Sequence, residues 1–287
     1  MMEASSLLRA LHAAHNLPAP AIPRLAADLQ EILHDAEGAA VAACSIDDVS
    51  EESRGSLYDR AATDGELLDN GVATLLGALS APKSAVFADL GSGRGGALFR
   101  TAAVTEWRHC FGIEFLQAKH NVAEHALGSL RRSPVLRSPV TLAVGDILEL
   151  DALATTLVGP GEGDDDETRL EELTHAYTCS VCFDDLLLRS LARSLGNRTL
   201  FPRFQALVSL RALPSQPYLT RVGELSLECS WNGAVTGHVY VPADVCERDE
   251  ADCAIPLLAH CLCDSGVCAL PAPLQPWSGR RYVRLPR

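Results

Sequence analysis

The apolar positions change period along the chain, and the changes mark its elements. Leu7, Leu8 and Leu11 fall at helical spacing, a proline-rich break runs from Pro18 to Pro23, and a second helical stripe passes through Leu25, Leu29, Ile32 and Leu33. Residues 1–60 therefore read as a helical N-terminal extension, and they carry no evident site chemistry. From Thr63 the signals become regular: a helix from Gly65 to Leu79, an apolar strand SAVFADL, a glycine-rich turn, and a helix starting near Gly96. A second strand, HCFGIEF, leads into a helix with Leu116, Val122, Ala123, Ala126, Leu127 and Leu130 on one face, and the strand VTLAVGD follows. The strand-like runs AYTCSVCF and FQALVSLRAL come next, with a short helix from Asp185 to Leu195 between them.

The end of this region changes character. TRVGELSLECSW alternates apolar and polar residues, Asn232-Gly233 marks a turn, and GHVYV is placed to pair back as an antiparallel strand. Strands alternating with helices predict an α/β fold around a mostly parallel sheet, closed by a terminal antiparallel hairpin, over residues 61–242. The acidic stretch from Gly159 to Thr168 reads as a solvated loop. Residues 243–287 are rich in Cys and Pro without sustained periodicity, and read as an appendage.

Composition narrows the class. A chain of 287 residues with 47% hydrophobic positions can bury a substantial core. No apolar run reaches the roughly 18 residues needed to span a bilayer, and the first residues lack the pattern of a secretion signal, so a soluble intracellular protein is expected. A formal net charge of -13 argues against gripping nucleic acid through its phosphates and suits a basic partner. Of the ten cysteines, Cys246, Cys253, Cys261, Cys263 and Cys268 crowd the last quarter beside His260, but no matched pair of C-x-x-C knuckles is present. Cys179 and Cys182 fall three apart in an apparent strand, which would point them to opposite faces. Ordinary reduced thiols and no metal are expected.

The chemistry concentrates at the glycine turn. In Asp89-Leu90-Gly91-Ser92-Gly93-Arg94-Gly95-Gly96, the glycines lie between strand and helix, where the backbone must turn tightly against a bound cofactor. Gly91, Gly93 and Gly96 also satisfy the dinucleotide pattern, so glycine spacing leaves both cofactors open. Asp89 decides between them: a carboxylate at that strand end repels a pyrophosphate and attracts the cationic aminoacyl group of S-adenosylmethionine. Glu114 ends the second strand, where an acid accepts hydrogen bonds from ribose hydroxyls. Asp146 ends the third, placed to accept from an adenine amino group while Ile147 covers the ring. Each acid alone is equally readable as a helix cap or a solvated strand end; the three together at one sheet edge form a constellation.

The order of VFADLGSGRGGALFRTAA, FGIEF, VGDI, CFDDLLL, LVSLRAL, CSW and HVYV resembles the disruptor-of-telomeric-silencing family of histone lysine methyltransferases, which have the class I methyltransferase (Rossmann-like) fold. Upstream, Thr63-Asp64-Gly65-Glu66-Leu67 is similar to that family's loop before the first cofactor strand, although Thr63-x-x-Glu66 is also a capping box for the next helix. The resemblance implies a donor site of Thr63, Glu66, Asp89, Gly91, Ser92, Gly93, Glu114, Asp146 and Ile147. It implies Asp184 near the transferred methyl, and Trp231 and Tyr240 lining the acceptor channel; the alternatives are that Asp184 caps its helix and that the aromatics are sheet packing. It also implies a nuclear enzyme acting on a lysine in the globular core of histone H3, with histone or nucleosome as partner and little direct DNA binding. The family usually has paired asparagines at Asp184-Asp185 and a glutamine at Gly96, and both departures bear on the donor and acceptor sites. Another protein or small-molecule acceptor, or a histone-binding scaffold without transfer, remains open.

Overall fold

The computed structural model describes residues 66–132, 135–160 and 167–246. The N-terminal extension, Thr63, residues 161–166 of the acidic stretch and the Cys- and Pro-rich segment beyond residue 246 lie outside them.

Helix α1 (Asp69–Leu79) precedes β1 (Val86–Leu90), α2 (Gly96–Val104), β2 (His109–Glu114), α3 (Gln117–Arg132) and β3 (Val140–Val144). Then come α4 (Leu150–Thr156), the short strands β4 (Val158–Pro160) and β5 (Glu167–Arg169), and β6 (His175–Thr178). Helix α5 (Asp185–Leu195), β7 (Ala206–Ser209), the long hairpin β8 (Leu219–Cys229) and β9 (Gly233–Pro242), and a final turn α6 (Ala243–Cys246) complete it. The main sheet has seven strands in the order β3-β2-β1-β6-β7-β9-β8. The first five are parallel, and β9 runs antiparallel to both its neighbours.

Every residue of β1, β2, β6 and β7 is buried, which explains why their sequences are apolar without alternation: helices cover both faces. On one face Leu75 and Leu76 of α1, Leu98 and Phe99 of α2, and Ala126 and Leu127 of α3 pack with Phe87 and Val208. On the other, Leu150 and Ala154 of α4 and Leu191 and Leu195 of α5 pack with Ala88, Phe111 and Leu207. The edge strand β8 alternates, as predicted.

Three expectations are corrected. Helix α1 starts at Asp69 rather than Gly65, because residues 66–68 run alongside the end of β8: Leu67 bridges Cys229, and Leu68 N donates to Glu228 O at 3.0 Å. Glu66 therefore precedes the helix, whose N-cap is Leu68 without a side-chain cap, so the capping-box reading does not hold. Cys179 and Cys182 do not share a strand; β6 ends at Thr178, and Ser180–Cys182 form a 3-10 turn. The ends of the acidic stretch are not solvated loop: Gly159 pairs with Thr168, and both are buried. Among the described residues no helix is long and apolar enough to cross a membrane, and no group of His, Cys, Asp and Glu is arranged to hold a metal ion.

Candidate active site

The carboxyl ends of β1, β2 and β3 meet around the loop from Gly91 to Gly95. Gly91, Gly93 and Gly95 have φ of 87°, 57° and 85°, left-handed values that a side chain would strain. The amides of Gly91 and Ser92 both donate to Ile113 O at 2.9 Å, tying the loop to β2. Glu114 completes the tie: its Oε2 accepts from Gly93 N and its Oε1 from Leu116 N, each at 2.8 Å. Two backbone amides thus fix the carboxylate against the loop, and the lone pairs left over can accept from hydroxyls.

Asp89 is buried at the end of β1, and its Oδ1 has no hydrogen-bond partner. Burial first, then the nearby charges of Glu114 and Glu66, push its carboxyl up to about 8. Glu66 enters the same space because position 96 is glycine: a Cβ there would lie 2.4 Å from Glu66 Oε2. Arg100, nearly buried on α2, holds Glu66 Oε2 at 3.3 Å and Asp69 Oδ1 at 3.1 Å. A buried carboxylate facing two others and lacking a partner is unfavourable until a cation arrives. The α-ammonium of S-adenosylmethionine is such a cation, and Asp89 with Glu66 and Glu114 near it would give it acidic surroundings, so these residues fit that donor.

The adenine side differs in detail from expectation. Asp146 Oδ1 accepts from Leu148 N at 2.9 Å and caps the turn Ile147–Glu149; acceptor capacity remains on the carboxylate. Ile147 points into the core beside Leu150. The apolar side chains exposed at this edge include Phe115, Leu148 and Val144, at 51%, 45% and 42%. The sequence pattern places Phe115 at the end of the strand HCFGIEF without giving it a role; an aromatic directly after the acid that ends β2 is the signal for one.

Across the sheet, Asp184 does cap α5, accepting at Oδ1 from Leu187 N at 2.8 Å. Its loop is fastened to the end of β7. Arg211 donates through Nη1 to Phe183 O and through Nη2 to Asp185 Oδ1 at 2.7 Å, and its amide donates to Ser180 Oγ at 3.0 Å. The Phe183 ring lies against the glycine loop, 3.1 Å from where a Cβ on Gly91 would be. Trp231 sits half-exposed at the tip of the β8–β9 hairpin, and its neighbour Ser230 exchanges two hydrogen bonds with Glu66. Tyr240 is corrected: it pairs with Leu207 in mid-strand, its ring is in the core and its hydroxyl accepts from Leu213 N at 2.8 Å. Alternation predicts its face but not its distance from the edge. Thr63 lies outside the described residues.

This strand order, with a glycine loop and acids at the carboxyl ends of its first strands, is that of a class I S-adenosylmethionine-dependent methyltransferase. Residues 58–135 match the sequence profile of the family described as Histone methylation protein DOT1. No curated protein matches the chain in sequence. Among solved structures, it is similar to a Pyrococcus horikoshii protein described as a candidate RNA methyltransferase, at 12% identity, over 72% of this chain and 98% of that one, with TM-score 0.37. TrmN from Thermus thermophilus matches at 15% identity over 60% of this chain and 48% of its own, with TM-score 0.41. TrmK of M. capricolum, solved with S-adenosylhomocysteine, matches at 7% identity over 62% of this chain and 70% of its own, with TM-score 0.38. The class rests on strand order and loop, not on these distant likenesses.

Proposed function

We propose that the protein is a lysine N-methyltransferase whose acceptor is a lysine in the globular core of histone H3, reached on free histone or on the nucleosome in the nucleus. The observation that carries this reading is the DOT1 match over the donor-binding segment. The acid at Asp184, on a loop that touches the glycine turn, supports it, since a carboxylate there can accept from a lysine ammonium.

When bound, the donor supplies an electrophilic methyl on a sulfonium. Asp89 and Glu66 hold its aminoacyl end, Glu114 the ribose, and Asp146 with Phe115 and Leu148 the adenine. Phe183 covers the glycine loop and excludes water. Arg211 fixes the Asp184 loop, so that the incoming amine meets a preset geometry. Trp231 at the hairpin tip supplies an apolar wall for the acceptor's aliphatic stem.

Contacts with DNA contribute little in this account. Arg131 donates to Val140 O, Arg132 to Ser129 Oγ, and Arg137 pairs with Glu106, so these arginines are engaged by the protein. Binding to naked DNA is expected to be poor at physiological salt. The test is transfer of labelled methyl onto nucleosomes, free histones and small amines, with mass spectrometry of the modified residue. Labelling confined to a lysine of the H3 core supports the reading; labelling only of other proteins or small molecules, or none, overturns it.

A further inference from the structure

A lysine enters as an ammonium, and its nitrogen attacks a methyl only after losing a proton. The donor cage offers no acceptor for that proton, because its acids face the aminoacyl group and ribose. The acceptor side has one group that the account so far leaves unused.

His238 lies on β9 two residues before Tyr240, hence on the same face, but one step nearer the carboxyl edge. It pairs with Ser209, the last residue of β7, whose Oγ contacts Ser180 Oγ at 2.6 Å; Ser180 opens the turn that leads to Asp184. Its ring is mostly buried, with Nδ1 3.4 Å from Glu224 Oε1 on β8. That contact lacks hydrogen-bond geometry, and Nδ1 has no other partner. Glu224 in turn pairs with Arg221 at 3.1 Å. The charged groups facing the ring are therefore Glu224 and Arg221, both from β8, while β7 presents Ser209. The other described histidines are elsewhere: His109 and His175 open their strands at the opposite edge, and His120 and His125 lie on α3.

We propose that His238, backed by Glu224, is the proton acceptor that frees the acceptor amine for methyl transfer; this rests on the amine-methylating reading above. The negative charge of Glu224, 3.4 Å from Nδ1, favours the tautomer with the proton on Nδ1 and leaves Nε2 basic. One N–H bond of the ammonium breaks and its proton passes to Nε2. The released lone pair forms the N–C bond to the methyl as the methyl's bond to sulfur breaks, leaving a neutral thioether and a methylammonium. The imidazolium, stabilised by closer approach of Glu224, then returns its proton to solvent. Burial lowers the ring's pKa, so it is neutral and ready at physiological pH.

The test is kcat/KM for the histone acceptor against pH in the parent, His238→Gln and Glu224→Gln, with donor affinity measured alongside. His238→Gln is expected to lose about a hundredfold at pH 7 with unchanged donor affinity, and the loss should shrink as pH nears the pKa of the amine. Glu224→Gln should move the acid limb to lower pH, because removing the carboxylate favours the neutral ring. A His238→Gln profile that matches the parent, or a loss equal at every pH, overturns the inference. Should His238→Gln fail to bind donor, the acid limb of Glu224→Gln decides alone, and an unmoved limb refutes the proposal. Failure of the parent to methylate any amine removes the underlying reading and the inference with it.

Discussion

Glu66 holds its carboxylate in the space that a side chain at position 96 would need, 2.4 Å from where a Cβ on Gly96 would lie. Where the DOT1-like pattern places a glutamine on the loop, this chain has a bare backbone and brings an acid in from the segment before α1. Gly96→Gln should therefore displace Glu66 and weaken S-adenosylmethionine binding by about 1–3 kcal/mol. Combining it with Glu66→Ala should recover part of that loss, because the clash goes with the carboxylate. Calorimetric titration of the single and double variants checks this; strictly additive losses would show that the two positions act independently.

Asp89 makes the donor-free protein sensitive to pH. Its carboxyl goes from an ordinary value of 3.8 to about 8 on folding, so between those limits the folded state retains a proton that the unfolded chain has lost. Stability of the donor-free protein should then fall as pH rises through this window, and level off above it. Asp89→Asn should flatten the dependence. The donor's ammonium favours the ionised carboxylate, so the donor-induced rise in Tm should be larger at pH 8.5 than at pH 6 when measured at saturating donor. Thermal unfolding against pH, with and without donor, reads both effects; a parent curve parallel to that of Asp89→Asn would contradict them.

Arg211 makes a different prediction, since it touches no donor-binding residue directly yet clasps Phe183 and Asp185 on either side of Asp184. Arg211→Ala should lower kcat by about tenfold to a hundredfold through misplacement of that loop. Donor affinity should change little. Steady-state kinetics of the variant against the parent test this, and a loss confined to KM would contradict it.

Much of this arrangement was legible in the sequence, for reasons that also explain the rest. Asp89 and Glu114 were readable because parallel strands buried on both faces leave acids only at their ends, and Asp184 because it directly precedes a strongly amphipathic helix. The start of α1 was not readable, because residues 66–68 are captured by β8, some 160 positions away in the chain, as in the Glu66–Ser230 separation of 164. The pairing of Gly159 with Thr168 was hidden for a similar reason: a short hairpin flanking an acidic run has the composition of a loop. Tyr240 and His238 share a face, and only the register against β7 tells which one reaches the edge. Phe115 was visible but undervalued, since nothing in a strand pattern says that its last apolar residue remains exposed.

The central claim is that the acids at the ends of β1 and β2 form the S-adenosylmethionine site, and calorimetric titration of the donor into the parent, Asp89→Ala and Glu114→Ala tests it most directly. The account predicts that the parent binds one equivalent and that each variant, folded as judged by circular dichroism, loses about 2 kcal/mol or more of binding free energy. A parent that does not bind, or variants that bind as tightly as the parent, would contradict it.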